Sequence, residues 1–301
     1  MKYFLGIFCV LMTLIITTSA NSYPDFTFDP NAAEDYLLFS YASYCQRSAI
    51  DYWNCTTCSA EQIQEFNMVS VIYNITTDTQ SFVGYRNSEV IVAFRGSMDI
   101  QSWITNLQFM TTSYPNCPGS QVHEGFYKAW ISVRDLVKSG IDDAIQACGT
   151  KCNTLVITGH SLGAALSSLC MMDMLDLYPQ MTTYSYSFGS PRVGDDIWAA
   201  CYNKIQPNQY RTVNRHDLVP HLPPQDVYNY HHVPTEVWYT TNTTYKVCDD
   251  SGEDPTCSDS VVGFSIWDHL HYFDQPCCCK SDTELEEMID DYIYPITINN
   301  N

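Results

Sequence analysis

Five residues, Gly159-His160-Ser161-Leu162-Gly163, leave this chain little freedom in how it folds. They follow the apolar run Leu155-Val156-Ile157-Thr158 and precede the helix-compatible stretch Ala164-Ala165-Leu166-Ser167-Ser168-Leu169. A strand, a sharp turn and a helix with Gly-x-Ser-x-Gly at the turn form a nucleophile elbow, whose serine hydroxyl stands free at the tip. The glycines admit so tight a turn because neither carries a Cβ. A serine in a Gly-rich turn is commonplace by itself. The strand before it and the helix after it are what single out Ser161 as a reactive group.

The first 20 residues read as an export leader rather than as part of the fold. Lys2 supplies the positive start, Phe4 to Ile16 the apolar stretch and Thr18-Ser19-Ala20 the small-residue cleavage site. Residues 21–301, roughly 280 of them, are expected to form a single α/β domain, because no linker, repeat or low-complexity tract divides them. The formal charge of −20 repels nucleic acid and anionic membranes and leaves neutral or zwitterionic substrates. Of the 14 cysteines, Cys9 leaves with the leader, so an odd number remains. In an exported chain they read as disulfides, with Cys170 on the apolar helix behind the elbow expected to stay a buried thiol. Sequons at Asn54, Asn74 and Asn242 permit glycosylation on surface loops.

Alternating patterns organise the remainder. Helices are expected over 31–45, 124–147 and near 195–205, and strands over 68–77, 81–85, 89–94, 154–158, 182–188 and 209–214. In the long helix, Phe126, Ala129, Trp130, Val133, Leu136, Val137 and Ile141 recur at helical spacing against a charged face. Strands alternating with helices imply a mostly parallel central sheet covered on both sides.

A serine nucleophile needs a base to take its proton and an acid to orient that base, in the chain order nucleophile, acid, histidine. Asp217 follows the strand ending near Asn214, at the carboxyl end of a sheet strand where such sites lie. A turn aspartate is the bland alternative, but the rigid apolar loop Leu218-Val219-Pro220-His221-Leu222-Pro223-Pro224 favours a site. Among eight histidines, order removes His123 and His160, and proximity to Asp217 removes His216 and His221. His231 and His232 sit in an aromatic run and read as structural. His269 and His271 remain, and pattern alone does not choose between them. The backbone N–H of Leu162 is one expected oxyanion donor, and Ser97, in the turn after the strand ending at Phe94, is a candidate for the second. Beyond it Ile100, Trp103, Ile104 and Leu107 follow i, i+3, i+4, i+7, with Asp99 placed to cap. Such a stripe usually faces a core. This one is short and free of internal charge, which suits a lid turned to lipid.

The chain resembles the class 3 lipases, the fungal triacylglycerol lipase type of α/β-hydrolase, over nearly all of the mature sequence. The residues that carry the likeness are Ser43-Tyr44-Cys45, Cys55-x-x-Cys58, Phe94-Arg95-Gly96-Ser97, Val122-His123-x-Gly125-Phe126, the elbow, Gly189-x-Pro191-Arg192-Val193-Gly194-Asp195, Asp217-x-Val219-Pro220-His221-Leu222-Pro223-Pro224 and Asp268-His269-Leu270-x-Tyr272-Phe273. The resemblance implies Ser161 as nucleophile, Asp217 as acid, His269 rather than His271 as base, Ser97 and Leu162 as oxyanion hole, and a lid around Trp103. It implies disulfides Cys55–Cys58, Cys248–Cys257 and Cys45 with one of Cys277, Cys278 or Cys279. Cys148 and Cys152 flank a helix end and can pair locally. The extra cysteines and the acidic segment Asp249 to Asp259 depart from the family pattern. The expected activity is cofactor- and metal-free hydrolysis of lipid esters at a lipid–water interface by an exported enzyme, in the medium or a lysosome-like vacuole. A phospholipase acting on the sn-1 ester, a feruloyl-type esterase and a non-enzymatic lipid-binding protein are the alternatives.

Overall fold

A computed structural model describes residues 27–205 and 208–289, so the expected leader over 1–20 lies outside the described residues. Helices α1 (Pro30–Ala42) and α2 (Arg47–Asp51) lead into β1 (Asn67–Asn74), β2 (Thr79–Arg86) and β3 (Glu89–Phe94). The short α3 (Ile100–Asn106) and strands β4 (Thr111–Ser113) and β5 (Gln121–His123) precede the long α4 (Glu124–Cys148). Then come β6 (Thr154–His160), α5 (Leu162–Leu177), β7 (Thr182–Phe188), β8 (Gly194–Asp195), α6 (Asp196–Ile205) and β9 (Gln209–Asn214). The chain continues through β10 (Tyr230–His231), β11 (Glu236–Tyr239), β12 (Tyr245–Val247), α7 (Ile266–Leu270), β13 (His271–Tyr272), β14 (Gln275–Pro276) and α8 (Asp282–Met288).

The main sheet has eight strands in the order β1-β2-β3-β6-β7-β9-β11-β12. Its centre, β3 through β11, is parallel, and antiparallel strands close both edges. The central strands are buried on both faces, and the pleat sorts their side chains between two cores. Val90, Val92 and Phe94 of β3 point into one core with Leu155 and Ile157 of β6, beneath α4 and α5. Ile91, Ala93 and Val156 point into the other, beneath α1 and the C-terminal elements. Helix α1 starts where Asp29 accepts the N–H of Asn31 and Pro30 occupies the first turn, which leaves no donor wasted. The stripe of α4 is buried as expected with one correction: Leu136 is 52% exposed. It lies one residue, about 100° of rotation, before Val137, which takes it off the buried face.

The elbow rests on missing side chains. A Cβ on Gly159 would collide with the carbonyl of Gly163, and a Cβ on Gly163 with the carbonyl of Phe94. Those contacts let α5 start directly against β6 and β3, and they leave Ser161 at φ 60°, ψ −131°. A non-glycine residue at positive φ is strained, and the close packing around it is what holds it there.

Six disulfides staple this frame: Cys45–Cys279, Cys55–Cys58, Cys117–Cys201, Cys148–Cys152, Cys248–Cys257 and Cys277–Cys278. Cys170 is the one free thiol among the described residues, and burial pushes its pKa up. Cys117–Cys201 closes a loop of 84 residues and Cys148–Cys152 one of 4. Loop-closure entropy therefore predicts that replacing the first pair with serine lowers unfolding free energy by about 4–5 kcal/mol, and the second by about 2. Denaturant unfolding of both paired variants checks the order, which equal losses would refute.

Candidate active site

Four consecutive strands of the sheet, β3, β6, β7 and β9, end on the same edge and each delivers a part of the site. After β3 the chain turns through Gly96 and Ser97, after β6 through Ser161, after β7 through Gly189, and after β9 it reaches Asp217. Helix α7 then brings His269 against the last of these. His269 Nδ1 lies 2.9 Å from both carboxylate oxygens of Asp217. The carboxylate also accepts the Val219 N–H at 2.8 Å and the Tyr272 hydroxyl at 2.5 Å. An Asp217 held by these two donors presents a fixed acceptor to the imidazole, which keeps the Nδ1–H tautomer and leaves Nε2 free to act as a base. Ser161 Oγ and His269 Nε2 are both buried without a hydrogen-bond partner.

Burial settles which of the two histidines joins the acid. His269 and Asp217 are each 0% exposed and Ser161 is 1% exposed. His271 points away, with its ring stacked on Trp267 at 3.7 Å and Nε2 3.3 Å from Asp282. Helix α7 ends at Leu270, so His271 already belongs to β13. Of the other histidines, His232 is buried with Nε2 donating to the Pro220 carbonyl at 2.7 Å, a structural role as expected.

Leu162 is the first residue of α5, where backbone N–H groups have no carbonyl partner within the helix and carry its positive dipole end. Ser97 is half-buried in the turn after β3. Helix α3 follows, capped by Asp99, which accepts the Ser102 N–H at 2.9 Å and hydroxyl at 2.7 Å. Those bonds hold the Asp99 carboxyl below its ordinary pKa. Ile100 is buried, Trp103, Ile104 and Leu107 are half-buried, and Ser102, Thr105 and Asn106 face outward. Trp103 stacks on Phe126 at 6.3 Å and touches both cores. A cavity of about 320 Å³ lies between this helix and the start of α4, lined by Trp103, Leu107, Met110 and His123 among others.

Several positioning groups lie in stretches that the sequence marked without assigning them a task. Arg192 forms a bidentate pair with Glu253, 2.8 Å at each bond, and bonds the Leu222 and Pro223 carbonyls of the loop after Asp217. Burial raises the Glu253 pKa, but the Arg192 guanidinium and the His232 N–H outweigh it and bring the value down to about 2. The acidic segment Asp249 to Asp259 is thus pinned to the loop that follows Asp217. Two groupings of ligand-type atoms occur among the described residues, Cys45/Cys55/Cys279 and Glu236/Cys248/Cys257. Their cysteines are all in disulfides and offer no thiolate to a metal.

A serine, histidine and aspartate brought to one edge of a largely parallel sheet define a serine ester hydrolase of the α/β-hydrolase class. A profile of the family described as lipase (class 3) matches residues 91–227. A lipase of Rhizomucor miehei is 35% identical over 249 residues, which cover 79% of this chain and 67% of that protein. A lipase of Rhizopus niveus is 30% identical, and this chain spans 62% of its length, somewhat less than two thirds. A secreted mono- and diacylglycerol lipase of Fusarium solani is 29% identical over 85% of this chain and 83% of its own. The solved structure of the Rhizomucor miehei triacylglyceride lipase matches with a TM-score of 0.76 at 32% identity, covering 83% of this chain and 96% of that one. The chain belongs to the class 3 lipase family.

Gly189 offers a direct test of the site's geometry. Its φ is +57°, and a Cβ there would lie 2.8 Å from Asp217 Oδ2 and from His269 Nδ1. Gly189→Ala should therefore displace the pair and lower ester hydrolysis by about 100-fold, the usual penalty for a misplacement of about 1 Å. Initial rates on a dissolved short-chain ester check this, and activity within threefold of wild type would contradict it.

Proposed function

We propose that this chain is an exported lipase that hydrolyses acylglycerol ester bonds at a lipid–water interface. The observation that carries the reading is the Ser161–His269–Asp217 set, sealed from water beside an amphipathic helix. His269 Nε2 takes the proton of Ser161 Oγ as the oxygen attacks the ester carbonyl carbon. Charge on the carbonyl oxygen is received by the N–H of Leu162 and by Ser97, while Asp217 stabilises the imidazolium. His269 returns the proton to the departing alcohol, which leaves an acyl-Ser161 ester. Water, activated by the same imidazole, then hydrolyses that ester. The cycle needs no cofactor.

Helix α3 supports lipid over small polar esters as substrates. Its apolar side chains Ile100, Trp103, Ile104 and Leu107 suit a cover for a lipid site, and a small polar ester gives no reason for such a cover. Lifting the helix in water exposes these side chains, each worth roughly 1.5–3 kcal/mol between full burial and full exposure. A lipid surface receives the same face and removes that cost, so the open state is populated there. Export fits the leader and the disulfides. No helix among the described residues is long and apolar enough to cross a membrane. Of the sequons, Asn54 is exposed, whereas Asn74 donates to the Ser132 carbonyl and Asn242 accepts from Arg215. Asn54 is the acceptor with the freest side chain.

Ser161→Ala should abolish nearly all hydrolysis, by about a million-fold, with folding intact. His269→Ala should follow it and His271→Ala should not; purified, folded variants assayed on tributyrin decide, and an active Ser161→Ala would end the proposal. The lid carries its own test. Initial rate against tributyrin concentration should break upward at the solubility limit, and Trp103→Ser should weaken that break more than it changes hydrolysis of dissolved ester. A smooth hyperbola in the wild type would make α3 an ordinary packed helix and favour a soluble-ester esterase.

A further inference from the structure

His160 lies next to the nucleophile in sequence, yet neither proton transfer nor the oxyanion hole uses it. It is 0% exposed, and its ring sits between two groups that matter to the site. On one side, Nε2 is 2.8 Å from the backbone carbonyl of His269. On the other, Nδ1 is 2.9 Å from the Tyr44 hydroxyl. A carbonyl only accepts, so Nε2 must carry the proton, and Nδ1 of a neutral ring must then accept from Tyr44 O–H. The two bonds therefore specify a single tautomer. Burial, followed by the neighbouring His269, holds the His160 pKa well below its usual value, consistent with that neutral ring.

The same backbone is held at every neighbouring residue. Asn214 Nδ2 donates to the carbonyls of Asp268 at 3.0 Å and His271 at 2.8 Å. The Cys277 N–H donates to the Leu270 carbonyl at 3.0 Å, and the Tyr272 N–H donates to the Tyr41 hydroxyl at 3.2 Å. The carbonyl of His269 itself is the one that His160 takes. The rings of His160 and His269 lie 4.4 Å apart, so a charged His160 would oppose the imidazolium that forms on His269 during proton transfer.

We propose that His160 is a positioning residue for the reaction: as a neutral Nε2–H donor it fixes the backbone of His269, through a tautomer set by Tyr44. The inference rests on His269 being the base. It assigns to the residue preceding the nucleophile a task separate from shaping the elbow, since the bond runs to an element 109 residues away.

Two polar substitutions separate the two bonds. A glutamine amide reaches the Nε2 position and can still donate to the His269 carbonyl. An asparagine amide reaches only the Nδ1 position and keeps the Tyr44 contact alone. On a dissolved short-chain ester, His160→Asn should lower kcat about 100-fold with KM within about twofold, while His160→Gln stays within about tenfold of wild type. Near-UV circular dichroism and melting temperature of both variants establish that folded protein is compared. Equal activity of the two, whether high or low, would overturn the proposal, because the loss would not follow the donor. A readout in the unsubstituted protein stands apart from activity and from variant folding. Long-range proton–nitrogen NMR should show His160 as the neutral Nε2–H tautomer between pH 5 and 8, and an Nδ1–H or doubly protonated ring would overturn the proposal. A wild type inactive on every ester would refute the proposed function and leave the tautomer result to stand.

Discussion

The approach of α5 to strands β6 and β3 governs the rest of the site. It exists because Gly159 and Gly163 bring backbone against backbone where any side chain would collide. That contact holds Ser161 in a left-handed backbone conformation that an isolated chain would abandon, at a cost of order 1–3 kcal/mol carried by the surrounding packing. The same geometry starts α5 directly after the serine, so the N–H of Leu162 is the first of the helix and has no carbonyl partner within it. One packing constraint thus fixes both Ser161 and the N–H of Leu162, the groups proposed as nucleophile and oxyanion donor.

Rigidity around the histidine has a different source. The elbow is held by missing atoms, whereas His269 is bonded directly by Asp217 and by His160 of β6, and the residues around it are tied by Asn214 of β9, Tyr41 of α1 and the N–H of Cys277. The Arg192–Glu253 pair extends this scaffold outward, tying a surface segment to the loop that follows Asp217. Charged groups so deeply buried are tolerable only when paired, and here Arg192 also donates to the Pro223 carbonyl while Glu253 also accepts the His232 N–H.

How much of this was legible in the chain depends on the range of each signal. Short-range patterns read well. The elbow, the strands 182–188 and 209–214, the Asp99-capped helix and the buried thiol of Cys170 each follow from a few neighbouring residues. Leu136 misled because one helical stripe, read by spacing, is wider than the face the sheet buries. His269 and His271 were indistinguishable because the deciding fact is where α7 ends, and that end is set by tertiary bonds from Asn214 and Tyr41. Long-range partners left no local trace. Cys117 finds Cys201, Cys45 finds Cys279, and Glu253 finds Arg192 only once the fold has brought distant segments together. The acidic segment departs from the family pattern in sequence, and in the fold the side chain of its Glu253 is buried.

In the proposed mechanism Ser161 is a competent nucleophile kept out of water until helix α3 meets an apolar surface. Covalent capture tests it without a lipid substrate. A water-soluble dialkyl aryl phosphate reacts with an activated serine and releases a coloured phenol, and peptide mass spectrometry locates the adduct. Labelling should be slow in buffer and at least tenfold faster with detergent micelles, with the adduct on Ser161 in both cases. Equal rates with and without micelles, or an adduct on another residue, would contradict it.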